Sequence, residues 1–332
     1  MAKAEPASAL FGWQGITLRI PPDWNLGRVD GNYQSGYARL DDDQIVRAEV
    51  EWREGKKRQL SVEALVDRYV EGLEKKAKKT DLPFSVNRRA RFLKDKRWLE
   101  GSEYELFVWE ADFRTYNLAR ACPQCGRIIL LRVLTRLQEK AEELVDSIFR
   151  SLEDHPREGR VSWSIYGLHF EMPEAFQLAG QELKSGHLQL NFTRDRQTCR
   201  IHRVSLAHLL LKDVRLADWY QGFFRKQLRD FRIEVEDQDL NGHPGLWVRG
   251  QPRSRWLQLI RPLPFLNPKP RLFQDSRVWR CAAADKICII DHLYRKREEA
   301  EDLPLRLSDG YFCHQESQTE PGGDAQLPAS AQ

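Results

Sequence analysis

The chain has 332 residues, 41% hydrophobic and 31% charged, with a formal net charge of +4 at pH 7. That length suits two domains, that composition supports packed cores rather than global disorder, and so mild a charge names no partner by itself. The opening MAKAEPASALFGWQG lacks the apolar core of a secretory signal, and no apolar run reaches the ~20 residues of a membrane span. A soluble, cytoplasmic chain with no membrane partner is expected, its six cysteines reduced rather than paired as disulfides.

GITLRI (15–20) reads as a short strand stopped by Pro21-Pro22, and GYARL and QIVRAEVEW follow as strands across the turn DDD. SVEALVDRYVEGLEKKAKK (61–79) reads as a helix, because Val62, Leu65, Val66, Tyr69 and Leu73 recur at helical spacing behind the N-cap candidate Ser61. FSVNRRARFL, RWLEGSEYELFVWE, FRTYNLARAC and GRIILLRVLT read as four successive strands, and QEKAEELVDSIFRSL as a closing helix with Ala141, Leu144, Val145, Ile148 and Phe149 on one face.

The same order then begins again. GITLRIPPDWNL (15–26) aligns with GLHFEMPEAFQL (167–178), SGYARL (35–40) with SGHLQL (185–190), and QEKAEEL (138–144) with REEAEDL (297–303). Three matches in order point to a tandem duplication: repeat 1 over 1–153, a charged linker over 154–160, repeat 2 over 161–314, and a disordered tail over 315–332. In repeat 2, RLADWYQGFFRKQL replaces the first helix and VWRCAAADKICIIDHLY is the last hairpin. The second copy is longer because RPLPFLNPKPRLFQDS (261–276) precedes that hairpin, and four prolines make it an extended loop. The order β-β-β-α-β-β-β-β-α predicts an α+β architecture: two tandem repeats, each an antiparallel sheet with helices packed on it.

An opening strand ending in Pro with an aromatic two or three residues on (PPDW, MPEAF), a Ser-Gly strand, one helix, a four-strand meander and a closing amphipathic helix resemble the PsbP/DcrB-like family, which includes a small nuclear-import factor that binds the GTPase Ran. The resemblance covers each repeat almost end to end and rests on packing signatures. It implies a non-catalytic binding or assembly module, and it carries over no catalytic residue.

The residues themselves offer two binding surfaces. Residues 75–97 hold ten basic side chains (Lys75, Lys76, Lys78, Lys79, Arg88, Arg89, Arg91, Lys94, Lys96 and Arg97) against Asp81 and Asp95, whereas the counterpart in repeat 2 is near neutral. Such a patch suits an acidic protein or, with no motif in support, a nucleic-acid backbone; its simplest reading is a solvated face. The second surface is the proline-rich loop, with Pro264, Phe265 and Leu266 as its apolar contacts. Trp219, Tyr220, Phe223 and Phe224 lack counterparts in repeat 1 and are further interface candidates.

ACPQCGRIILL (121–131) resembles half a zinc ribbon whose second half is missing. Its twin RCAAADKICII places Cys281 on Cys122 and Ala284 on Cys125. The plain reading makes these cysteines apolar fillers beside a turn set by Pro123 and Gly126. The sharper one brings Cys281 across a pseudo-twofold to Cys122 and Cys125, forming one zinc site that Cys288, Cys313 or His314 completes. The histidines read as scattered structural residues. No G-x-S-x-G elbow, Walker loop, G-x-G-x-x-G or H-E-x-x-H occurs, so no catalytic residue is assigned and no cofactor is expected, with zinc as the alternative; an enzyme with an unrecognised site between the repeats is the third reading.

Overall fold

The computed structural model describes residues 8–55, 61–81, 83–253, 272–296 and 302–314. The first repeat runs β1 (Ala9–Trp13), β2 (Ile16–Ile20), β3 (Asn25–Gly31), β4 (Ser35–Asp41), β5 (Val46–Glu54), α1 (Val62–Thr80), β6 (Ser85–Arg88), β7 (Glu103–Glu110), β8 (Phe113–Ala121), β9 (Arg127–Arg136) and α2 (Glu142–Arg150). The second runs β10 (Arg160–Ile165), β11 (Leu168–Pro173), β12 (Gln177–Lys184), β13 (His187–Arg194), β14 (Gln197–Ser205), three short helices α3 (Ala207–Leu210), α4 (Leu216–Phe223) and α5 (Arg225–Leu228), then β15 (Phe231–Leu240), β16 (His243–Pro252), β17 (Phe273–Cys281), β18 (Lys286–Tyr294) and α6 (Leu303–Asp309).

Each repeat forms one seven-stranded antiparallel sheet, in the orders β3-β4-β5-β9-β8-β7-β6 and β12-β13-β14-β18-β17-β16-β15. These are the same order read in the two halves. The opening hairpins leave their own sheets and join each other, giving a third sheet β11-β10-β1-β2 through Gly12↔Ser164. Both hairpins turn on two residues with positive φ, Gln14-Gly15 and Tyr166-Gly167, the geometry of a type I′ turn. A side chain at Gly12 would bring its Cβ within 2.9 Å of the Ser162 carbonyl oxygen, so the joint needs glycine there. Trp13 and Trp163 meet edge to face across it, with ring centroids 5.0 Å apart.

Strand alternation then sorts the core into layers. Ile129, Leu131 and Val133 of β9 face one large cluster shared by both repeats and by the opening hairpins, while Ile128 and Leu130 face α1. In β18, Cys288 and Ile290 face the shared cluster and Ile287 and Ile289 face the α3–α5 side. The two faces explain why both strands read as continuous apolar runs. The closing helices are equivalent too: α2 packs on β2 and α6 on β11.

The expected α+β architecture does not hold. Strand makes up 51% of the described residues and helix 19%, so the chain is mostly β, built on three large antiparallel sheets that the few helices only partly cover. Two features caused the misreading. Long amphipathic helices carry a strong periodic signal, as in α1, where Ser61 caps the helix by accepting a hydrogen bond from the Ala64 N–H at 3.1 Å. Short exposed edge strands carry almost none: β3 buries only Leu26 and half-buries Val29. In repeat 2 the helical slot is broken into three short pieces, and 84–99 yields only β6 and one 3-10 turn, Arg97–Leu99, that holds Trp98. No described helix is long and apolar enough to cross a membrane.

Candidate functional site

The β8–β9 turn is closed by two backbone hydrogen bonds, Cys122 N–H to the Arg127 carbonyl at 2.8 Å and Gly126 N–H to the Cys122 carbonyl at 2.9 Å. It presents a buried Cys122 and an exposed Cys125 toward the segment that follows α2. That segment is pinned to β2 by reciprocal Thr17–Glu153 backbone bonds, and the buried Arg127 guanidinium donates to the Asp154 carbonyl at 3.2 Å. Four donor groups then converge. Cys122 Sγ lies 3.7 Å from His155 Nδ1, Cys125 Sγ lies 3.5 Å from Asp154 Oδ2, and His155 Nδ1 lies 3.0 Å from Asp154 Oδ1. Although Cys125 is exposed as a residue, its sulfur is partly desolvated against Asp154 and Cys122; that desolvation, reinforced by the Asp154 charge and by Cys122, pushes the thiol up to about 12.

The second repeat builds a matching cluster. Its last hairpin presents Cys281, whose sulfur accepts from the Ala284 N–H at 3.4 Å. The segment after α6 presents Cys313 and His314, held by a Phe312–His169 backbone bridge and by Asn241 Nδ2 donating to the Tyr311 carbonyl at 3.1 Å. His243 enters from the β15–β16 turn, where Asn241 and Gly242 both have positive φ. Cys281 Sγ lies 3.3 Å from His314 Nδ1, and Cys313 Sγ lies 3.3 Å from His243 Nε2 and 3.4 Å from His314 Nδ1. A hydrogen bond from Cys288, joined by His314 and Cys281, holds the Cys313 thiol down to about 4, whereas burial pushes the Cys281 and Cys288 thiols up.

Cys281 therefore sits with His243, Cys313 and His314, not with Cys122 and Cys125. Sequence reasoning missed His155, Asp154 and His243, although the duplication held a signal for two of them: the Asp154-His155 pair stands opposite Cys313-His314.

The basic region is dispersed by its fold. Lys75, Lys76, Lys78 and Lys79 are exposed at the end of α1, where cations complement the helix dipole. Arg88 instead binds Glu105 through both Nε and Nη2 and reaches Asp67 at 2.8 Å. Arg89 lies 4.0 Å from Glu63, Lys94 pairs with Glu143 at 3.1 Å, and Arg91 is exposed. A cleft of about 390 Å³ beside Arg89 is lined by Glu63, Glu103 and Glu105 against Arg89 and Lys96, so it does not favour an anion. Pro264, Phe265 and Leu266 lie outside the described residues.

The α3–α4 surface of repeat 2 exposes apolar groups: Leu206 is 54% exposed, Leu209 58%, Val214 44% and Phe223 43%. The same slot in repeat 1 is filled by α1, which turns Val62, Leu65, Val66 and Val70 inward and a charged face outward. Trp219 stacks on Phe223 at 4.9 Å. Tyr220 and Phe224 are core residues instead; the Tyr220 hydroxyl donates to the buried Asp291 at 3.0 Å, and His187 Nε2 meets the buried His202 Nδ1 at 3.1 Å below the same helices.

The chain matches no family model and no curated protein by sequence. Among solved structures it is similar to the T6SS immunity protein TplEi from Pseudomonas aeruginosa complexed with an "L" peptide, at 12% identity over 92% of this chain and 97% of that chain, with a TM-score of 0.38. It is also similar to the Ran-binding protein Mog1p of Saccharomyces cerevisiae, at 10% identity over 45% of this chain and 86% of that one, with a TM-score of 0.29. With TM-scores this low, neither likeness bears on what this chain does.

Proposed function

We propose that the chain is a tandem PsbP/DcrB-like module that works by binding another protein, with no reaction of its own, and that it docks through the α3–α4 face of repeat 2. One observation carries the reading: equivalent slots present a charged helix face in one copy and exposed Leu206, Leu209, Val214 and Phe223 in the other. Apolar groups gathered on a soluble surface lose unfavourable hydration when a partner covers them. The flanking charge indicates what kind of partner fits. Residues 206–229 carry Lys212, Arg215, Arg225, Lys226 and Arg229 against Asp213 and Asp218, so the complementary ligand is an apolar segment flanked by Asp or Glu. The six free cysteines are in keeping with work in a reducing compartment, as expected of the cytoplasm.

The test is a random peptide library displayed on phage and selected on the immobilised full chain. Enriched peptides should combine apolar residues with Asp or Glu. The Leu209→Asp/Phe223→Asp double variant should weaken the best peptide roughly tenfold or more. Enrichment of basic or uncharged peptides, unchanged binding by the double variant, or no enrichment overturns the reading.

A further inference from the structure

We propose that each repeat holds one tetrahedral zinc ion, bound by Cys122, Cys125, Asp154 and His155 in the first and by His243, Cys281, Cys313 and His314 in the second. In each set four potential ligand atoms, one from each residue, lie within 4.8 Å of one another. The spacing suits zinc in particular. Zn–S bonds of about 2.3 Å and Zn–N bonds of about 2.0–2.1 Å make the sulfur-to-nitrogen edge of a tetrahedron about 3.6 Å long. The corresponding separations are 3.7 Å for Cys122–His155, 3.3 Å for Cys281–His314 and Cys313–His243, and 3.4 Å for Cys313–His314. Two sulfurs joined by imidazole or carboxylate form a donor set that zinc accepts and that magnesium and calcium do not.

The two copies keep four donors each although the donors differ. Cys122 and Cys281, Asp154 and Cys313, and His155 and His314 are each 159 residues apart, so three donor positions are shared although one has changed from carboxylate to thiolate. The fourth donor has moved. Position 284, equivalent to Cys125, is alanine, and His243 arrives from the β15–β16 turn instead. Apolar packing alone gives no reason for one donor to replace another from a different loop and keep the number at four. A tetrahedral ion does.

Four protein ligands leave no open position, so both sites are structural. The first clips the last hairpin of repeat 1 to the connector between the repeats. The second clips the last hairpin of repeat 2 to the segment after α6 and to the β15–β16 turn. The Ala284 N–H at the Cys281 sulfur supplies outer-shell support of the kind thiolate ligands need.

The test uses the full chain, freed of any affinity tag, loaded with Zn²⁺ and dialysed, with metal measured by plasma mass spectrometry. Two equivalents are expected in the wild type and one in each of Cys122→Ser and Cys281→Ser. His243→Ala should also fall to one, and adding Ala284→Cys to it should restore two, because the new thiol takes the place that Cys125 has in repeat 1. A wild type with no retained zinc, or single-site variants that still hold two equivalents, overturns the proposal. If the variants fail to fold, Co²⁺ titration of the wild type decides instead: a tetrahedral thiolate spectrum saturating at two equivalents supports it, and an octahedral or non-saturating one overturns it.

Discussion

His155 and His314 occupy the same place in the two repeats: each puts Nδ1 beside the first cysteine of its own last hairpin, 3.7 Å from Cys122 and 3.3 Å from Cys281. Metal removal should therefore loosen both halves. With free zinc about 100-fold above the dissociation constant, one site stabilises the folded state by about 2.7 kcal/mol. At about 2.1 cal/mol/K of unfolding entropy per residue, stripping it with a chelator should lower the melting temperature by about 4 °C per site in a chain of 332 residues. Calorimetry with and without chelator, followed by zinc addition, checks both the drop and its reversal.

Acid should act through His202. Burial first, then the neighbouring His187 and Arg200, lowers its pKa from 6.5 to about 3. The unfolded chain takes up a proton near pH 6.5 and the folded chain does not until about pH 3, so stability from this group is lost as pH falls through that window. At pH 5 the loss is about 2 kcal/mol relative to pH 7. Urea denaturation of His202→Gln at the two pH values should show a gap smaller by about that amount; an unchanged gap would show that His202 is not responsible.

Arg88 should matter for stability more than for binding. Arg88→Ala strands Glu105, whose side chain is only 9% exposed, and is expected to cost about 1–2 kcal/mol, at the low end because the arginine itself is partly solvated. Lys78→Ala, on the exposed end of α1, should stay within about 0.5 kcal/mol of the wild type. Equilibrium denaturation of the two variants side by side separates these outcomes.

The joint between the repeats is sensitive to a single side chain. Gly12→Val drives its Cβ into the Ser162 carbonyl and should destabilise by about 1–3 kcal/mol. Gly72→Ala is the contrasting case: nothing lies within 4 Å of its added Cβ, and α1 should gain about 0.5–1 kcal/mol. Denaturation midpoints of the two variants should move in opposite directions.

Much of the fold was legible in local pattern. The duplication shows in the Pro-ended opening strands, and α1 shows in its cap and its inward stripe of Val62, Leu65 and Val66. The balance of helix and strand was not legible, because edge strands such as β3 bury too few side chains to print an alternation. Nor was the dispersal of the basic region, since Glu105, Asp67 and Glu143 reach Arg88 and Lys94 from 17 or more residues away.

For the cysteines the division is sharper. Sequence alone determined that Cys122 and Cys281 are equivalent, and the constant spacing of 159 residues that pairs Asp154-His155 with Cys313-His314 is written in it. Only the tertiary structure decided which donors meet. Cys281 does not cross to Cys122, because each closing helix packs on its own repeat's opening hairpin and delivers the following residues to its own last turn. Chain spacing says which positions correspond; convergence in space depends on how the sheets stack, and CPQCG finds its partners only there.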